Sequence, residues 1–457
     1  MKTVRNCEIQ PLEARQLMTS VSVTVPTLVV TTVVAGTGQQ LRIQGTTGND
    51  EIHVRQLDNG LQVTSAAGFN QTYTGTYNSI KIKGDKGNDK IYVDASVTLP
   101  CYIYGDDGND TLSGGSGDDF LYGLAGSDLL LGNAGRDNLI ELGGGYDTAT
   151  GGAGEDFFWA DTTDTITDAD TYEAANSVNR ITAFQAETVG TTKVTPSKEI
   201  TGQRLGDPTV SNKAYVYKAF SNDPLFAATG PTADDVRQGQ IGDCFYLSTL
   251  GATANVKPDT IRNMETDLGD GTYAVRFKSG STYKYYRVDN DLAVFSKTST
   301  TPAYAALGQD DAMWVAIAEK AYTFFRSNKG TYTSINGGWM GEVFTALGMS
   351  NQQSLWKQDA TNGDDYLDWV QQQLDAGYTV TMGVINPPPG SINLISGHAY
   401  TVVRVQDNGD GTRSLVVRNP WGIDGYRTDD GAQDGYVTLT AANAYTGIDA
   451  FVAGKAA

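Results

Sequence analysis

Residues 105–140 read GDDGNDTLS, GGSGDDFLY, GLAGSDLLL and GNAGRDNLI, which are four consecutive units of nine residues. Each unit follows the pattern G-x-x-G-x-D-x-h-x, in which h is an apolar residue. The first part of a unit suits a turn, because glycine adopts backbone conformations that other residues resist. The last part suits a short strand that directs one side chain inward. A period of this length predicts stacked coils around a narrow apolar interior.

The repeat continues beyond these units. An extra residue, Glu141, interrupts the period before two further units begin at Leu142 and Gly151, and isolated copies begin at Gly45 and Gly84. The pattern resembles the RTX nonapeptide repeat. This resemblance implies an all-β N-terminal region that contains a parallel β-roll and binds calcium.

One aspartate recurs at the same position of every unit. Stacked coils would bring these carboxylates together, and like charges at close range repel unless a cation lies between them. Calcium is a hard cation that prefers oxygen ligands, so it is the predicted cofactor. The predicted calcium ligands are Asp110, Asp119, Asp128, Asp137, Asp147 and Asp156. A solenoid of glycine, asparagine and aspartate turns that binds no metal is the alternative.

The interior of the coils should be filled by one apolar side chain per unit. The candidates are Leu112, Phe120 or Leu121, Leu129, Leu139 and Phe157. Upstream of the repeats, residues 40–104 alternate apolar and polar positions between clusters of Gly, Asn and Asp, which is typical of strands joined by turns.

A chain of 457 residues is too long for one ordinary core, so several domains are expected. After the repeats, a polar segment rich in Thr, Ala and Asp precedes a region in which aromatic residues become frequent. We predict a leader at 1–36, a β-rich region at 37–104, the β-roll at 105–160, a linker at 161–205 and a second domain at 206–457. The leader contains PLEARQLM, which resembles an element near the N-termini of many exported proteins of planctomycete-type bacteria. This similarity predicts a bacterial protein that is secreted or lies at the cell surface.

Charge and cysteine content argue against several classes of function. The chain has 33 Lys and Arg against 53 Asp and Glu, a formal net charge of −20, which disfavours nucleic acid or an anionic membrane surface as a partner. The Val- and Thr-rich run at 21–34 is too short for a membrane span. The three cysteines and two histidines are scattered and predict neither a disulfide framework nor a zinc site.

The C-terminal half contains a single cysteine, Cys244 in QGQIGDCFYL, and a single histidine, His398 in SGHAY. Apolar spacing after Cys244 predicts that it begins a helix, where unsatisfied N–H groups lower a thiol pKa. His398 begins a predicted strand and Asn419, in RNPWG, ends another, so both can face one cleft. We predict Cys244 as the nucleophile, His398 as the base and Asn419 as the residue that orients the imidazole. The amide of Gln238 is the predicted oxyanion donor, together with the Cys244 backbone N–H.

These three motifs, in this order, resemble the calpain family of cysteine proteases. AEKAY at 318–322 and GGWMGE at 337–342 are similar to two further segments of that family. The resemblance implies an α+β, papain-like core, a protein or peptide substrate, and peptide-bond hydrolysis through a thioester of Cys244. It also places Asp235 and Glu342 at two positions where calpain cores bind calcium. After NPWG the chain departs from the family, and its acidic loop at 429–434 suits either another calcium geometry or a solvated surface.

Two other functions are compatible with the same residues. The chain could act as an extracellular, calcium-dependent adhesion or matrix module whose papain-like domain is inactive. The acyl group could also pass from Cys244 to an amine instead of water. The presence of a cysteine, a histidine and an asparagine in matching motifs favours the endopeptidase over the adhesion module.

Overall fold

The computed structural model describes residues 28–35, 38–189, 192–203, 205–387, 394–425 and 432–456. Backbone contacts divide the chain into two compact units, Met1–Arg180 and Ile181–Ala457. This division confirms the multidomain organisation expected from the length. No helix among the described residues is long and apolar enough to cross a membrane.

The first unit is built of short strands, because its glycine-rich turns recur so often that few residues remain between them. Its strands are β1 (Val29–Ala35), β2 (Gly38–Gln44), β3 (Glu51–Leu57), β4 (Gly60–Ser65), β5 (Asn70–Tyr73), β6 (Tyr77–Lys83), β7 (Lys90–Val93), β8 (Cys101–Asp107), β9 (Thr111–Ser113), β10 (Phe120–Ala125), β11 (Leu129–Ala134), β12 (Asn138–Glu141), β13 (Thr148–Ala153), β14 (Phe157–Ala160), β15 (Thr165–Ile166) and β16 (Val178–Arg180). Helix α1 spans Thr171–Asn176.

These strands form two sheets, ordered β1-β2-β6-β8-β10-β12-β14-β16 and β15-β13-β11-β9-β7-β3-β4-β5. Within the repeats the pairing is parallel: Phe120 pairs with Tyr102 in one sheet and Leu129 with Thr111 in the other. Both pairs are 18 residues apart (120 − 102 and 129 − 111), so two nine-residue units make one coil. Antiparallel pairs, β1 with β2 and β4 with β3 and β5, occur at the N-terminal end of the stack. The predicted all-β region with a parallel β-roll is confirmed.

One apolar side chain per unit fills the interior of the coils. The stacked residues are Leu112, Leu121, Leu130, Leu139 and Phe158, all fully buried. The choices of Leu129 and Phe157 are wrong, because the inward position is the eighth of each unit and alternate strand residues face opposite sides. Leu129 is therefore only partly buried, and Phe157 is buried outside this cluster.

Two positions of a unit favour glycine for different reasons. A Cβ on the first glycine, for example Gly132, would collide with the carboxylate of the aspartate in the same unit, Asp137. In several units the glycine at the fourth position turns the chain through a positive φ; at Gly126 φ is 141°, and the residue lies against the carbonyl of Gly108 one coil earlier. Glycine adopts that conformation at little cost and has no side chain to separate the coils. The glycine pattern therefore allows the close stacking that creates the aspartate columns described below.

Two predicted boundaries differ from the structure. Residues 29–35, inside the predicted leader, form β1 of the first sheet, whereas residues 1–27 lie outside the described part of the chain. The predicted linker at 161–205 is divided at residue 180: its first part supplies β15, α1 and β16 to the first unit, and the rest belongs to the second unit. A Thr- and Asp-rich composition suits caps as well as linkers, and Asp170 and Glu173 form the capping box of α1.

The second unit combines helices with antiparallel sheets. Its strands are β17 (Glu187–Val189), β18 (Thr192–Val194), β19 (Val216–Ala219), β20 (Glu265–Asp267), β21 (Thr272–Ser279), β22 (Thr282–Asp289), β23 (Asp291–Val294), β24 (Asn351–Trp356), β25 (Thr379–Val384), β26 (His398–Asp407), β27 (Arg413–Arg418), β28 (Tyr436–Thr440) and β29 (Ala450–Lys455). Its α-helices are α2 (Cys244–Val256), α3 (Pro258–Arg262), α4 (Trp314–Ser327), α5 (Met340–Ala346), α6 (Gly363–Asp375) and α7 (Ala441–Gly447). Single 3-10 turns lie at Ala233–Asp235, Gln309–Asp311, Tyr332–Ile335 and Lys357–Asp359.

Two apolar cores organise the second unit. The first gathers α2, α4 and α5 against the β21–β22 hairpin, with Phe245, Phe277 and Trp314 among its members. The second lies between helices α6 and α7 and a six-stranded antiparallel sheet ordered β24-β29-β25-β26-β27-β28. Helix α2 packs against β25 and β26 of that sheet, which joins the two halves. The predicted α+β architecture of the C-terminal domain is confirmed.

Candidate active site

Cys244 is the first residue of α2, as the apolar spacing predicts. The helix is buried along its length, from Phe245 to Ala254, so its position is fixed by packing on all sides. Asp243, which precedes the helix, is fully buried, whereas Cys244 is partly exposed and is a free thiol. The nucleophile candidate is therefore the point at which a rigid, buried helix opens to solvent.

The electrostatic environment of Cys244 differs from the sequence-based expectation. Burial raises the pKa of the Cys244 thiol, and the neighbouring Asp243 carboxylate acts in the same direction. The backbone N–H groups of Ala399, Phe245 and Cys244 itself point towards the sulfur and act in the opposite direction. The helix N-terminus is therefore present as predicted, but desolvation outweighs it and the resting group is a thiol. Contact with the Ala399 N–H also shows that the sulfur lies beside the start of β26.

His398 begins β26 and pairs with Asn419, which directly follows β27. The His398 Nε2 atom lies 2.9 Å from Asn419 Oδ1, and the backbone N–H of Trp421 donates to the same oxygen at 3.0 Å. Because Oδ1 accepts from Trp421, the imidazole Nε2 must be the donor, and Nδ1 keeps the lone pair of the neutral ring. Burial lowers the pKa of His398 to about 4. The resting histidine is therefore a neutral base with a defined tautomer.

Two aromatic rings enclose the His398–Asn419 hydrogen bond. The Trp421 ring lies 5.0 Å from the imidazole, and the Tyr400 ring lies 5.0 Å away in an edge-on orientation. Asn419 has no exposed surface and His398 is 7% exposed. Exclusion of water strengthens the hydrogen bond, since the local dielectric constant is lower than that of water.

Cys244 and His398 line the same open cleft of about 590 Å³. The cleft is also lined by Gln238, Gly242, Gly337 and Gly397. Glycine at these wall positions leaves backbone groups accessible, which suits a site that must approach a substrate main chain. Asn419 is not among the residues that line the cleft and contacts His398 from the buried side.

The side-chain amide of Gln238, predicted to donate to the oxyanion, donates to two protein oxygens in the structure. Its Nε2 atom donates to the carbonyl of Ile241 at 2.6 Å and to Asp243 Oδ1 at 3.1 Å. Both amide hydrogens therefore have acceptors within the protein. The oxyanion role of Gln238 remains a prediction that requires the side chain to release at least one of these partners.

Sequence reasoning missed a buried acid pair behind the nucleophile. Asp243 and Glu319 are both buried, and burial raises the pKa of each carboxyl. The neighbouring Asp243 carboxyl raises the pKa of Glu319 further, and Glu319 Oε2 accepts the Ala305 N–H at 3.0 Å. Both acids stand in motifs noted in the sequence, GDC and AEKAY, but only the fold reveals that they meet across two elements distant in the chain.

The six predicted calcium ligands of the repeats fall into two columns rather than one. Each aspartate Oδ1 accepts the N–H of its counterpart one coil earlier, for example Asp128 from Asp110 at 2.7 Å and Asp137 from Asp119 at 2.8 Å. One column contains Asp50, Asp89, Asp110, Asp128, Asp147 and Asp164, and the other contains Asp119, Asp137, Asp156 and Glu173. Alternate units contribute to opposite columns, because two units make one coil.

The remaining carboxylate oxygens of these columns suit a cation. Among the described residues, Oδ2 of Asp110, Asp128 and Asp137 is buried without a hydrogen-bond partner. Burial, with neighbouring carboxylates, raises the pKa of these three groups to about 6, 7 and 8. Buried, unpaired oxygens of like charge match the preference of calcium for hard oxygen ligands. No group of three or more Asp, Glu, His or Cys side chains suits a metal in the described ranges, so oxygens other than carboxylates would complete each site.

The two acids predicted to hold calcium in the protease core have hydrogen-bond partners within the protein. Asp235 Oδ2 accepts from the Thr232 backbone N–H at 2.8 Å and from Trp314 Nε1 at 2.9 Å, and its Oδ1 accepts the Gln309 N–H at 2.9 Å. Glu342 Oε1 instead pairs with Arg326 at 2.7 Å. The hydrogen bonds of the two acids go to different residues. The proposed second calcium loop lies mostly outside the described residues, at 426–431.

An α+β domain in which a thiol at a helix N-terminus and an imidazole on an adjacent strand line one cleft has the architecture of a cysteine peptidase. Residues 213–433 match the calpain family cysteine protease model, and residues 104–139 and 137–164 match the RTX calcium-binding nonapeptide repeat. The chain thus carries a calpain-family cysteine protease domain preceded by RTX repeats, and calcium is its cofactor.

The chain aligns with calpain-type relatives over less than half of its length. It is 25% identical over 215 residues to the calpain-type cysteine protease DEK1 of Zea mays, 27% over 214 residues to calpain-9 of Mus musculus, and 26% over 230 residues to the calpain-1 catalytic subunit of Mus musculus. The alignments cover 44%, 44% and 46% of this chain, but only 10%, 30% and 31% of the respective relatives. The chain therefore spans less than a third of the length of each of these proteins.

Proposed function

We propose that the chain is a cysteine endopeptidase in which Cys244, His398 and Asn419 act together on a protein or peptide substrate. The observation that supports this most directly is the 2.9 Å pairing of His398 Nε2 with Asn419 Oδ1, beside a cleft lined by both Cys244 and His398. The pairing leaves imidazole Nδ1 as the proton acceptor. A thiol, an acceptor nitrogen and an orienting amide are the groups that acyl transfer by cysteine requires.

In the proposed reaction, His398 takes the thiol proton while the Cys244 sulfur attacks the peptide carbonyl carbon. The imidazolium then donates that proton to the departing amine, and a thioester remains on Cys244. Water, deprotonated by His398, attacks the thioester, and collapse of the tetrahedral intermediate releases the acid and restores the thiol. Asn419 holds the ring in the tautomer that allows both transfers.

The proton transfer should occur with substrate bound rather than before it arrives. Burial raises the pKa of Cys244 and lowers that of His398 to about 4, so both groups are neutral at rest. A bound substrate displaces water, and its carbonyl oxygen becomes an oxyanion near the helix N-terminus during attack. The ionised form of Cys244 and His398, a thiolate and an imidazolium, is therefore favoured only once substrate is bound. The proposed mechanism is therefore general-base catalysis rather than attack by a preformed thiolate.

Calcium has a separate role in this proposal. We propose that the aspartate columns bind the ion through Asp110, Asp128 and Asp147 on one side and Asp119, Asp137 and Asp156 on the other. Bound calcium supplies positive charge that relieves repulsion between the carboxylates and stabilises the β-roll. RTX repeats are typical of secreted proteins, and we propose that the chain acts outside the cell or at its surface.

Cleavage of an unfolded protein tests the assignment. The Cys244→Ala variant should lose cleavage of reduced, carboxymethylated casein in calcium-containing buffer, with its thermal unfolding unchanged. Cys101→Ala, which removes a buried thiol of the β-roll, is the matched control and should retain activity. Cleavage by Cys244→Ala at the wild-type rate would refute the proposal.

A second function, a calcium-dependent adhesion or matrix module, is favoured by the neutral resting state of Cys244 and His398. An inactive domain should not react with a peptide aldehyde or epoxide directed at active-site thiols, whereas the endopeptidase should be labelled at Cys244. Peptide mapping by mass spectrometry distinguishes the two. Product analysis with an added primary amine distinguishes hydrolysis from acyl transfer.

A further inference from the structure

Arg326, near the end of α4, donates hydrogen bonds to three residues between 334 and 342, a segment that includes part of the cleft wall. Its Nη1 donates to the carbonyl of Gly337 at 2.7 Å and to that of Ser334 at 3.1 Å, and its Nη2 donates to Glu342 Oε1 at 2.7 Å. Gly337 lines the cleft that contains Cys244. One guanidinium thus joins a cleft-lining segment to the start of α5.

The same guanidinium also contacts the nucleophile helix. The Arg326 Cζ atom lies 4.7 Å from the centre of the Phe245 ring, and Phe245 directly follows Cys244. A Cβ on Gly338 would meet Arg326 Nη2 and Phe245 Cε2, each at 2.6 Å, as well as Glu342 Oε1. Arg326, Phe245 and Glu342 therefore converge on Gly338, where a Cβ would displace their side chains.

The set of acceptors is one that a calcium ion would otherwise suit. Two backbone carbonyls and one carboxylate are hard oxygen ligands. Here a planar guanidinium satisfies all three, because its donors spread in a rigid fork that matches several acceptors at once. Asp235, the other acid expected to bind calcium in the core, already accepts four hydrogen bonds, which come from Thr232, Gln309 and Trp314.

We propose that Arg326 takes the place of a calcium ion in the protease domain: it positions the cleft segment around Gly337 and the nucleophile helix without a metal. This inference rests on the proposed function of the cleft. It assigns the calcium requirement of the chain to the β-roll alone. Arg326 is a positioning residue, since it touches neither the proposed nucleophile nor the proposed base.

Counting bound calcium tests the proposal without any need for catalysis. Native mass spectrometry of the full chain should give the same number of bound calcium ions for wild type and Glu342→Gln. The Asp128→Asn variant in the β-roll should lower that number, which shows that the measurement resolves single ions. A Glu342→Gln chain that binds one ion fewer than wild type would overturn the proposal.

Reactivity of Cys244 tests the positioning role. Arg326→Ala should lower the rate at which iodoacetamide alkylates Cys244, and kcat/KM with it, by about tenfold, because small misplacements of reacting groups have large effects on rate. Added guanidinium ion at low, non-denaturing concentration should restore part of the loss, and Arg326→Lys should restore less, since ammonium lacks the fork. Arg413→Met, which removes an arginine paired with Asp368 at 2.7 Å outside the cleft lining, is the matched control and should leave both rates unchanged.

The positioning role would be overturned if Arg326→Ala had the same alkylation rate and the same kcat/KM as wild type. A loss of either rate that guanidinium ion does not reverse would also overturn it. Failure of the endopeptidase proposal has a different signature: cleavage that persists in Cys244→Ala. The calcium count is informative in either case, because it depends on neither cleavage nor thiol reactivity.

Discussion

Replacing Asp137 with asparagine should have opposite effects on the β-roll with and without calcium. Asp137 Oδ1 accepts the Asp119 N–H at 2.8 Å, a bond that the asparagine Oδ1 can keep. Its Oδ2 is buried without a partner among the described residues. Burial, with the carboxylates of Asp119 and Asp156, raises the pKa of Asp137 from 3.8 to about 8.

The magnitude follows from proton linkage. A raised folded-state pKa means that the group stabilises the fold below the unfolded pKa and that this stabilisation is lost as pH rises towards about 8. At pH 7 the unfolded chain has an ionised Asp137, and forming the protonated buried group costs roughly 4 kcal/mol, at about 1.4 kcal/mol per pH unit above 3.8. This is an upper value, because neighbouring carboxyls share the repulsion. Asparagine avoids the cost, so the calcium-free β-roll should melt up to about 10 °C higher.

In the presence of calcium the effect of Asp137→Asn on Tm has the opposite sign. The wild-type carboxylate then has a cation to bind, and the Asp137→Asn variant has lost one charged ligand, so its Tm should fall below that of wild type. Circular dichroism melts in EGTA and in calcium, each at about pH 7 and about pH 5, measure the change in Tm under both conditions. The gain in EGTA should shrink at pH 5, where protonation costs only about 1.6 kcal/mol. Glu155→Gln, an exposed neutralisation in a nearby turn, is the control; a lower Tm for Asp137→Asn in EGTA at pH 7 would refute the reasoning.

Three further predictions concern the core, the base and the buried acids. Leu130→Ala should destabilise the β-roll by about 2–5 kcal/mol, as for other buried leucines, and Leu129→Ala by less than half of that, measured by urea unfolding in calcium; equal losses would contradict the assignment of the interior face. The acid limb of kcat/KM should have its midpoint near pH 4, because His398 remains an unprotonated base down to its pKa of about 4; a midpoint near 6.5 would argue against a buried, neutral base. Glu319→Gln should fold and retain activity, since an amide can donate to Asp243 and accept from Ala305, whereas Glu319→Leu should cost about 2–4 kcal/mol by leaving both partners unpaired; indistinguishable urea midpoints for the two variants would exclude the shared proton.

Repeats and short motifs carried most of what could be predicted. The nine-residue period defines the β-roll because each unit contains its own turn residues. The conformational preferences of these residues depend only on neighbouring positions in the sequence. Cys244 at a helix start and His398 at a strand start follow from local apolar spacing in the same way. Leu129 and Phe157 are wrong predictions of the inward residue, because each stands beside a second apolar residue and only the register of the coil selects between the two.

Charge and protonation were beyond the reach of sequence reasoning. A helix N-terminus predicts a lowered thiol pKa at Cys244, yet burial dominates, and burial is a property of everything packed around the sulfur. The same holds for Asp235 and Glu342, whose positions resemble calcium ligands but whose oxygens accept from other residues. A motif gives the residue type at a position, whereas the ligand set of a metal site depends on which other residues the fold brings close to that position.

The sequence by itself determined the order of the domains, the coil period, the recurring aspartates and the identity of the lone thiol and lone imidazole in the second unit, because these depend on local conformational preference and on residue type. Only the tertiary structure decided that the aspartates form two columns, that Glu319 lies beside Asp243 in the interior, and that Arg326 occupies the oxygen-lined position beside the cleft. Those features join residues far apart in the chain, and their energies depend on distance and desolvation, which exist only once the chain has folded.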